Sequence, residues 1–413
     1  MHGKSGRPRN SAHLRWLAAV IALLSGGWLG HASAAPFPAK PGDPLPRLSA
    51  AERSRYELGR RAFERVREIE TGLGPLFNDS SCTRCHNKKG VGGAGIQVAV
   101  LAGRLDGGVF DPLLETGGPL IASNTVMLEP ATHVQRWIPN CSLSRTSEAT
   151  PPGANVFTRR RTTPLFGLGL VDATPDATFI ELARRQPEAI RGRAAFVPNP
   201  ATGAHSVGKF GWKAQSPSLH HFAGMALSSE LGITNPQFPL EQAPHGNIAL
   251  IAACDAVPGL EDDGSEVQSM TDFMALLAPI DPSPPNADAR AGDALFSRVG
   301  CDGCHVRKLE SGPSPIAALS EKAYAPFSDF LLHDMGSLGD GIAEGEAAPR
   351  EMRTAPLWSL RLSGSGRLLH DGRAHSFPEA IAGHDGQAAR ARDAFAALSS
   401  TDQRRLVAFL DTL

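Results

Sequence analysis

Two short stretches constrain this chain more than anything else in it: Cys82-Thr-Arg-Cys85-His86 and, roughly 220 residues later, Cys301-Asp-Gly-Cys304-His305. In a C-x-x-C-H box the two thiols are spaced to meet the two vinyl groups of one haem. The next residue then presents an imidazole to the iron, which is the attachment pattern of c-type haem. Two other readings use the same cysteines. A four-thiolate zinc site could take both C-x-x-C pairs, but the histidine after each would then be coincidental. A thiol–disulfide motif needs a βαβ context that the sequence does not display. The boxes therefore predict two covalently bound haem c groups, on Cys82 and Cys85 and on Cys301 and Cys304. His86 and His305 are the expected proximal iron ligands.

The surroundings of the boxes repeat as well. Ser49-x-x-Glu52 has capping-box spacing and predicts a helix through about Glu70, ahead of the first box. Gly292, Leu295, Phe296 and Val299 fall on one helical face ahead of the second. Both approach helices carry Gly-x-x-x-Phe, as Gly59/Phe63 and Gly292/Phe296. The chain closes on another amphipathic helix, with Ser400 and Gln403 at capping-box spacing and Leu406, Phe409, Leu410 and Leu413 on one face. After each box comes Arg-Thr-x-Pro-Leu-aromatic, at 161–166 and 353–358. Box and Arg-Thr-x-Pro segment thus occur twice in the same order, as in a duplicated unit whose first copy has been expanded by insertions. The proline-rich stretch 277–289 marks the boundary. The expected organisation is residues 1–34 as a leader, 35–284 as an N-terminal cytochrome-c-like domain with insertions, and 285–413 as a C-terminal cytochrome c domain. The expected fold is mainly α, two such haem domains in tandem with long loops and little sheet.

Composition narrows the setting. Gly (43) and Pro (33) are over-represented, which suits long ordered loops around a flat cofactor. A formal net charge of -1 gives no sign of a nucleic-acid partner. Residues 1–34 read as a signal peptide: a basic start, the apolar core "LAAVIALL" and the small-residue site "ASA" before Ala35. The apolar stretch is shorter than the roughly 20 residues that span a bilayer. The mature protein is expected to be periplasmic, without a membrane span. In that compartment the leftover Cys141 and Cys254 are read as a structural disulfide, against two free thiols or a catalytic role.

The stretches "LFNDSSCTRCHNKKGVGG", "RRTTPLFGLGLVDATPD", "GKFGWKA", "LGITNP", "FSDFLLHDMG" and "RTAPLW", followed by "LLHDGRAHSFPEAIAGH", resemble the bacterial di-haem oxidoreductase family. Its members carry the labels thiol oxidoreductase and peroxidase, and the family is related to the dihaem cytochrome c peroxidases. The likeness runs from about residue 45 to the end. In those peroxidases the last position of a segment like "HDGRAHSFPEAIAGH" supplies the distal ligand of the C-terminal haem, and here it matches His384. Met335 is the runner-up and Met352 the third choice; His333, His370 and His375 suit structural hydrogen bonds or haem propionates.

The first copy offers no matching ligand. Carrying the offset between Pro356 and Pro164 along the chain puts His384 over Gly192. The first haem is then open, or takes a ligand from the insertion, where His133, His205, His220 and His221 lie. The open state makes it the candidate peroxide site. The family resemblance implies a glutamate near the departing oxygen, matched best by Glu230; His220 and His221 are the alternatives, and a capping carboxylate is the plainer role for Glu230. Arg160 and Arg161 suit propionates or a solvated charge run. Trp212 and Trp358 suit an inter-haem path or core packing. The expected activity is peroxide reduction at the first haem, with electrons from a small cytochrome or cupredoxin entering through the second. A non-catalytic electron carrier and a haem-dependent oxidase of a protein partner are the alternatives.

Overall fold

Gly59 and Gly292 set the frame of the molecule. In the computed structural model, which describes residues 39–413 except 131, 133, 144–146 and 364–366, each glycine lies where two helices touch. The signal-peptide reading and His133 lie outside the described residues. Helix α1 (Ala50–Glu64) crosses α3 (Ser265–Leu276), and α4 (Ala287–Arg298) crosses α6 (Ser400–Leu410). A Cβ on Gly59 would stand 2.2 Å from the Ser269 carbonyl oxygen; one on Gly292 would stand 1.9 Å from that of Arg405. Only hydrogen fits there, so the backbones approach closely and the phenylalanine one turn on inserts into the partner helix. Phe63 meets Phe273 at 4.8 Å between ring centres, and Phe296 meets Phe409 at 5.4 Å. The closing helix of the first half ends at Leu276, at the edge of the proline-rich stretch 277–289.

The caps explain the helix limits. Ser49 accepts from the Glu52 amide and Glu52 accepts from the Ser49 amide, as the capping box predicts. The helix stops at Glu64 instead of about Glu70, because Arg65 is extended and the Arg67 amide donates to the Ser80 carbonyl. At the last helix the cap is Ser399, one residue earlier than the expected Ser400, with its hydroxyl accepting from the Asp402 amide.

The fold is mixed, not mainly α. Among the described residues helix takes 35% and strand 16%, spread over several small sheets. The largest sheet belongs to the expanded first half. Its centre, β1 (Val98–Asp106), pairs antiparallel with β2 (Val109–Asp111), β3 (Leu120–Ile121) and β4 (Val156–Arg161). The Gly107-Gly108 corner, with φ of 57° and 85°, is the positive-φ pair that a two-residue hairpin requires. A short ladder pairs Leu332–Asp334 with Glu351–Arg353. Both Arg-Thr-x-Pro segments therefore leave a strand at their arginine, and the proline three residues on, lacking an N–H, cannot continue the ladder. Among the described residues no helix is long and apolar enough to cross a membrane.

Candidate functional site: two boxes on one cavity

The boxes have the same local geometry. Cys82–Cys85 is a single helical turn and Cys301–Gly303 a 3-10 turn entered through Gly300 at φ 89°. His86 donates its amide to the Cys82 carbonyl (2.8 Å), and His305 donates to that of Cys301 (3.0 Å). That bond turns both sulfurs and the imidazole of each box toward one side. All six side chains line a single, largely apolar cavity of about 1140 Å³. This exceeds the upper end of ordinary small-ligand clefts, about 1000 Å³. The four thiols are free, and burial pushes Cys82, Cys85 and Cys301 up to about 12. Burial also lowers His86 and His305 to about 4, so both imidazoles are neutral and keep a lone pair.

The second half presents a facing pair. His305 donates Nδ1–H to the Phe327 carbonyl (3.0 Å), and His384 donates Nδ1–H to that of Ala380 (2.8 Å). Each Nε2 is left as the free acceptor, the second-shell arrangement typical of ligating histidines. The rings face each other at 6.5 Å between centres. Two imidazoles on one metal, with bonds of about 2 Å each, need a separation of about 6–6.5 Å. The residues present fit a haem iron between them. Met335 and Met352 also line the cavity, with Met335 at the start of the Gly336–Leu338 turn.

In the first half the corresponding position carries an alanine. The chain makes the same turn twice. Phe210 bridges Ser216 and Leu368 bridges Ala374; two residues later Ser218 and Ser376 cap a helix with their hydroxyls. The helices so capped are α2 (Leu219–Leu231) and α5 (Phe377–Ala382). His384 is eight residues past its cap, and eight residues past Ser218 is Ala226, which lines the cavity. The sequence offset pointed to Gly192 instead. It fails because the inserted residues, including the helix Asp176–Arg185 and the hairpin Phe196–Val207, come between the first Arg-Thr-x-Pro segment and the turn. Gly192 packs on His333, whose ring a Cβ would approach to 2.6 Å.

One helical turn beyond Ala226 stands Glu230, also on the cavity wall. Asn78, four residues before Cys82, donates from Nδ2 to the Glu230 carboxylate (2.7 Å). Ser123 in turn donates its amide to Asn78 Oδ1 (2.9 Å), fixing the asparagine's orientation. Burial raises the Glu230 pKa, and the Asn78 bond offsets only part of that. His220 and His221 do not line the cavity. His221 Nδ1 lies 2.9 Å from the Ser216 hydroxyl with its ring edge-on to Phe238, and His220 faces Thr271. His205 lies on the exposed hairpin Ala204–Val207.

Arg160 also lines the cavity, but its charge is met within the protein, by Asp340 (2.8 Å) and Glu344. Lys213, fully buried, pairs with the same Asp340 (2.8 Å). Trp212 donates its indole N–H to the Arg161 carbonyl (3.1 Å) and meets the His370 ring edge-on at 6.3 Å. Both rings line the cavity where the two halves meet. Trp358 packs on Tyr324. Cys141 and Cys254 form a disulfide within the first-half insertion.

A family model described as "di-haem oxidoreductase, putative peroxidase" matches residues 153–413. The chain belongs to this family. A di-haem oxidoreductase carries two haems, and the two boxes on one cavity are where this member has the residues to hold them. No curated protein is similar enough to be reported as a relative. Among solved structures the chain is similar to a hydrazine synthase of Kuenenia stuttgartiensis (14% identity, 99% of this chain and 100% of that one, TM-score 0.39) and a MauG-like protein associated with microbial copper homeostasis (14%, 92% and 94%, 0.39). A diheme peroxidase from Burkholderia thailandensis matches similarly (15%, 92% and 89%, 0.37). At those scores they carry no argument about individual residues.

Three residues of this di-haem oxidoreductase's cavity had escaped the sequence reading. Ala226 was hidden by the insertion, although the paired signals, Ser218 and Ser376 ahead of their helices, were in plain view. Asn78 precedes the first box in "LFNDSSC" and reads as a turn residue. Arg353 opens the second Arg-Thr-x-Pro segment, and the repeat alone could have raised it beside Arg161.

Proposed function

We propose that the protein is an exported dihaem c-type enzyme that reduces peroxide at the His86 haem with electrons received through the His305 haem. The observation that carries this reading is the exchange of His384 for Ala226 at corresponding places in the two halves. His305 and His384 would hold one iron on both sides. His86 would hold the other on one side, with the small Ala226 leaving the opposite side free. Bound haem supplies one-electron storage at each iron and, where an axial position is open, a place for peroxide.

The chain's own residues supply the rest. Glu230, raised in pKa by burial and held by Asn78, keeps a proton near the free side for the departing oxygen. The apolar wall of α2 excludes bulk water. Trp212 and His370, in ring contact at the seam, lie on a path between the two halves. Covalent attachment through the four box cysteines and the Cys141–Cys254 disulfide both suit an oxidising compartment, which supports export and cleavage of residues 1–34. The donor is a small cytochrome or cupredoxin.

Purified protein mixed with reduced donor and hydrogen peroxide tests the proposal. Haem staining at the polypeptide mass, two haem equivalents by pyridine haemochrome and sustained donor oxidation are expected. Two covalent haems with no peroxide-dependent oxidation would leave an electron carrier and overturn the catalytic reading.

A further inference from the structure

Two guanidinium groups lie on the cavity wall without a counterion. Arg161 and Arg353 are the arginines of the two Arg-Thr-x-Pro segments, and each is more than nine-tenths buried. Arg161 donates from Nη1 to the Arg367 carbonyl, and its Nε is buried without a partner. Arg353 donates from Nε to the Gly211 carbonyl (2.6 Å) and from Nη1 to that of Thr354 (2.9 Å), with its guanidinium stacked 5.5 Å from the Phe330 ring centre. Among the described residues neither forms an ion pair, whereas neighbouring Arg160 has two. Burial lowers the Arg353 pKa to about 10, with Asp329 opposing, and also lowers that of Arg161, with Arg367 adding to the effect. A buried cation without an anion is strongly disfavoured. Beside them His370, 3% exposed, has its Nε2 buried without a partner.

The two arginines are held in a crossed fashion. The Arg161 amide donates to the His370 carbonyl of the second half (2.7 Å), and the Arg353 amide donates to the Trp212 carbonyl of the first half (2.9 Å). Each nevertheless stays close to its own box. Thr162 donates to Gln97 O (3.3 Å), Leu165 to Gly92 O (2.8 Å) and Gly92 to His86 O (2.9 Å). On the other side, Arg353 stacks on Phe330, and Asp329 donates its amide to Cys304 O (2.9 Å).

We infer that Arg161 and Arg353 are paired anion seats, each taking a propionate of the haem on its own box while anchored to the opposite half. A haem brings carboxylates and no cation outside the iron, so it supplies the missing countercharge. Since each seat is completed across the seam, loading either haem clamps the two halves together. The inference rests on the two haems of the family and not on peroxide turnover.

The test is spectroelectrochemical titration of the dihaem protein and of Arg161→Gln, Arg353→Gln, Arg161→Lys and Arg353→Lys, with resonance Raman of the propionate bending bands. A cation beside a propionate favours the ferrous state, because it cancels an anion that would otherwise stabilise the ferric charge. Each Gln variant should therefore lower the midpoint potential of one haem, a different haem for each arginine, and shift that haem's propionate band. Each Lys variant should recover most of the shift, since the charge stays and only the planar fork is lost. A Gln variant that takes up one haem in place of two, beside a fully loaded Lys variant, also supports the seat. Unchanged midpoints and bands in both Gln variants, or Lys variants as impaired as Gln, would overturn it.

Discussion

The two halves of the molecule share a frame and differ at one corresponding position on the cavity wall. In both, a glycine lets the approach helix press on the closing helix, and phenylalanine rings from the two helices meet beside the histidine of the box. Phe63 stands 6.0 Å from the His86 ring and Phe296 stands 6.4 Å from the His305 ring. Both halves then make the Arg-Thr-x-Pro exit, the bridged turn and the serine-capped helix. At the eighth residue past the cap the second half has His384 and the first has Ala226. The shared frame suits holding a porphyrin in each half, and the proposed division of work between the two haems rests on the contrast between an imidazole and a methyl group. Insertions went to the half with the free side, where they build the β1–β4 sheet and carry the disulfide.

The largest effect should come from erasing the contrast. Ala226→His is expected to supply a sixth ligand to the His86 haem, convert its high-spin optical bands to low-spin ones, and cut peroxide turnover by at least about a hundredfold. The reciprocal His384→Ala should change the ligand field of the His305 haem alone; if it leaves the spectrum unchanged, Met335 takes the ligand role. Next is the staple that only the expanded half carries. The Cys141–Cys254 bridge closes a sequence separation of 113 residues, and replacing both cysteines by alanine should destabilise the protein by about 5 kcal/mol on chain-entropy grounds. Thermal melting in the oxidised state measures it.

Glu230 sharpens the comparison further, because under the proposed mechanism only the His86 side would need an acid. Its raised pKa keeps the carboxyl protonated to higher pH than an ordinary glutamate. Turnover that needs the acid form is therefore retained at low pH and falls as pH rises through the raised value. Glu230→Gln should lower kcat/KM by about a hundredfold and flatten that limb of the profile. A profile unchanged by the substitution would remove Glu230 from the chemistry. The smallest effects test the shared frame. Gly59→Ala and Gly292→Ala each drive a methyl group into a backbone carbonyl and should cost about 1–3 kcal/mol apiece. Unequal penalties, read from melting curves, would show that the two crossings are not equivalent.

The parts of the frame written as local patterns were legible in the sequence: the boxes, the Gly-x-x-x-Phe helices, the amphipathic closing helix and the Ser49–Glu52 cap. Each depends on residues a few positions apart. The β1–β4 sheet was missed although Gly107-Gly108 is a hairpin signal, because two of its three pairings, β1 with β3 and β1 with β4, join stretches far apart in the chain. His384 could be singled out from the motif it ends. Its partner position could not, since one offset was applied across an insertion of unknown placement. His220 and His221 drew attention by residue type, yet α2 turns them from the cavity and presents Ala226 and Glu230. Arg160 and Arg161 are adjacent in sequence and both line the cavity, yet differ in fate, because Asp340 and Glu344 pair with Arg160 and, among the described residues, no carboxylate pairs with Arg161.

The most direct measurement is the spin state of the two haems in the ferric protein by electron paramagnetic resonance, repeated after one-electron reduction. The account predicts one high-spin and one low-spin haem in the ferric state, the low-spin one lost in His384→Ala and the high-spin one lost in Ala226→His. Two low-spin haems in both oxidation states of the native protein would contradict it.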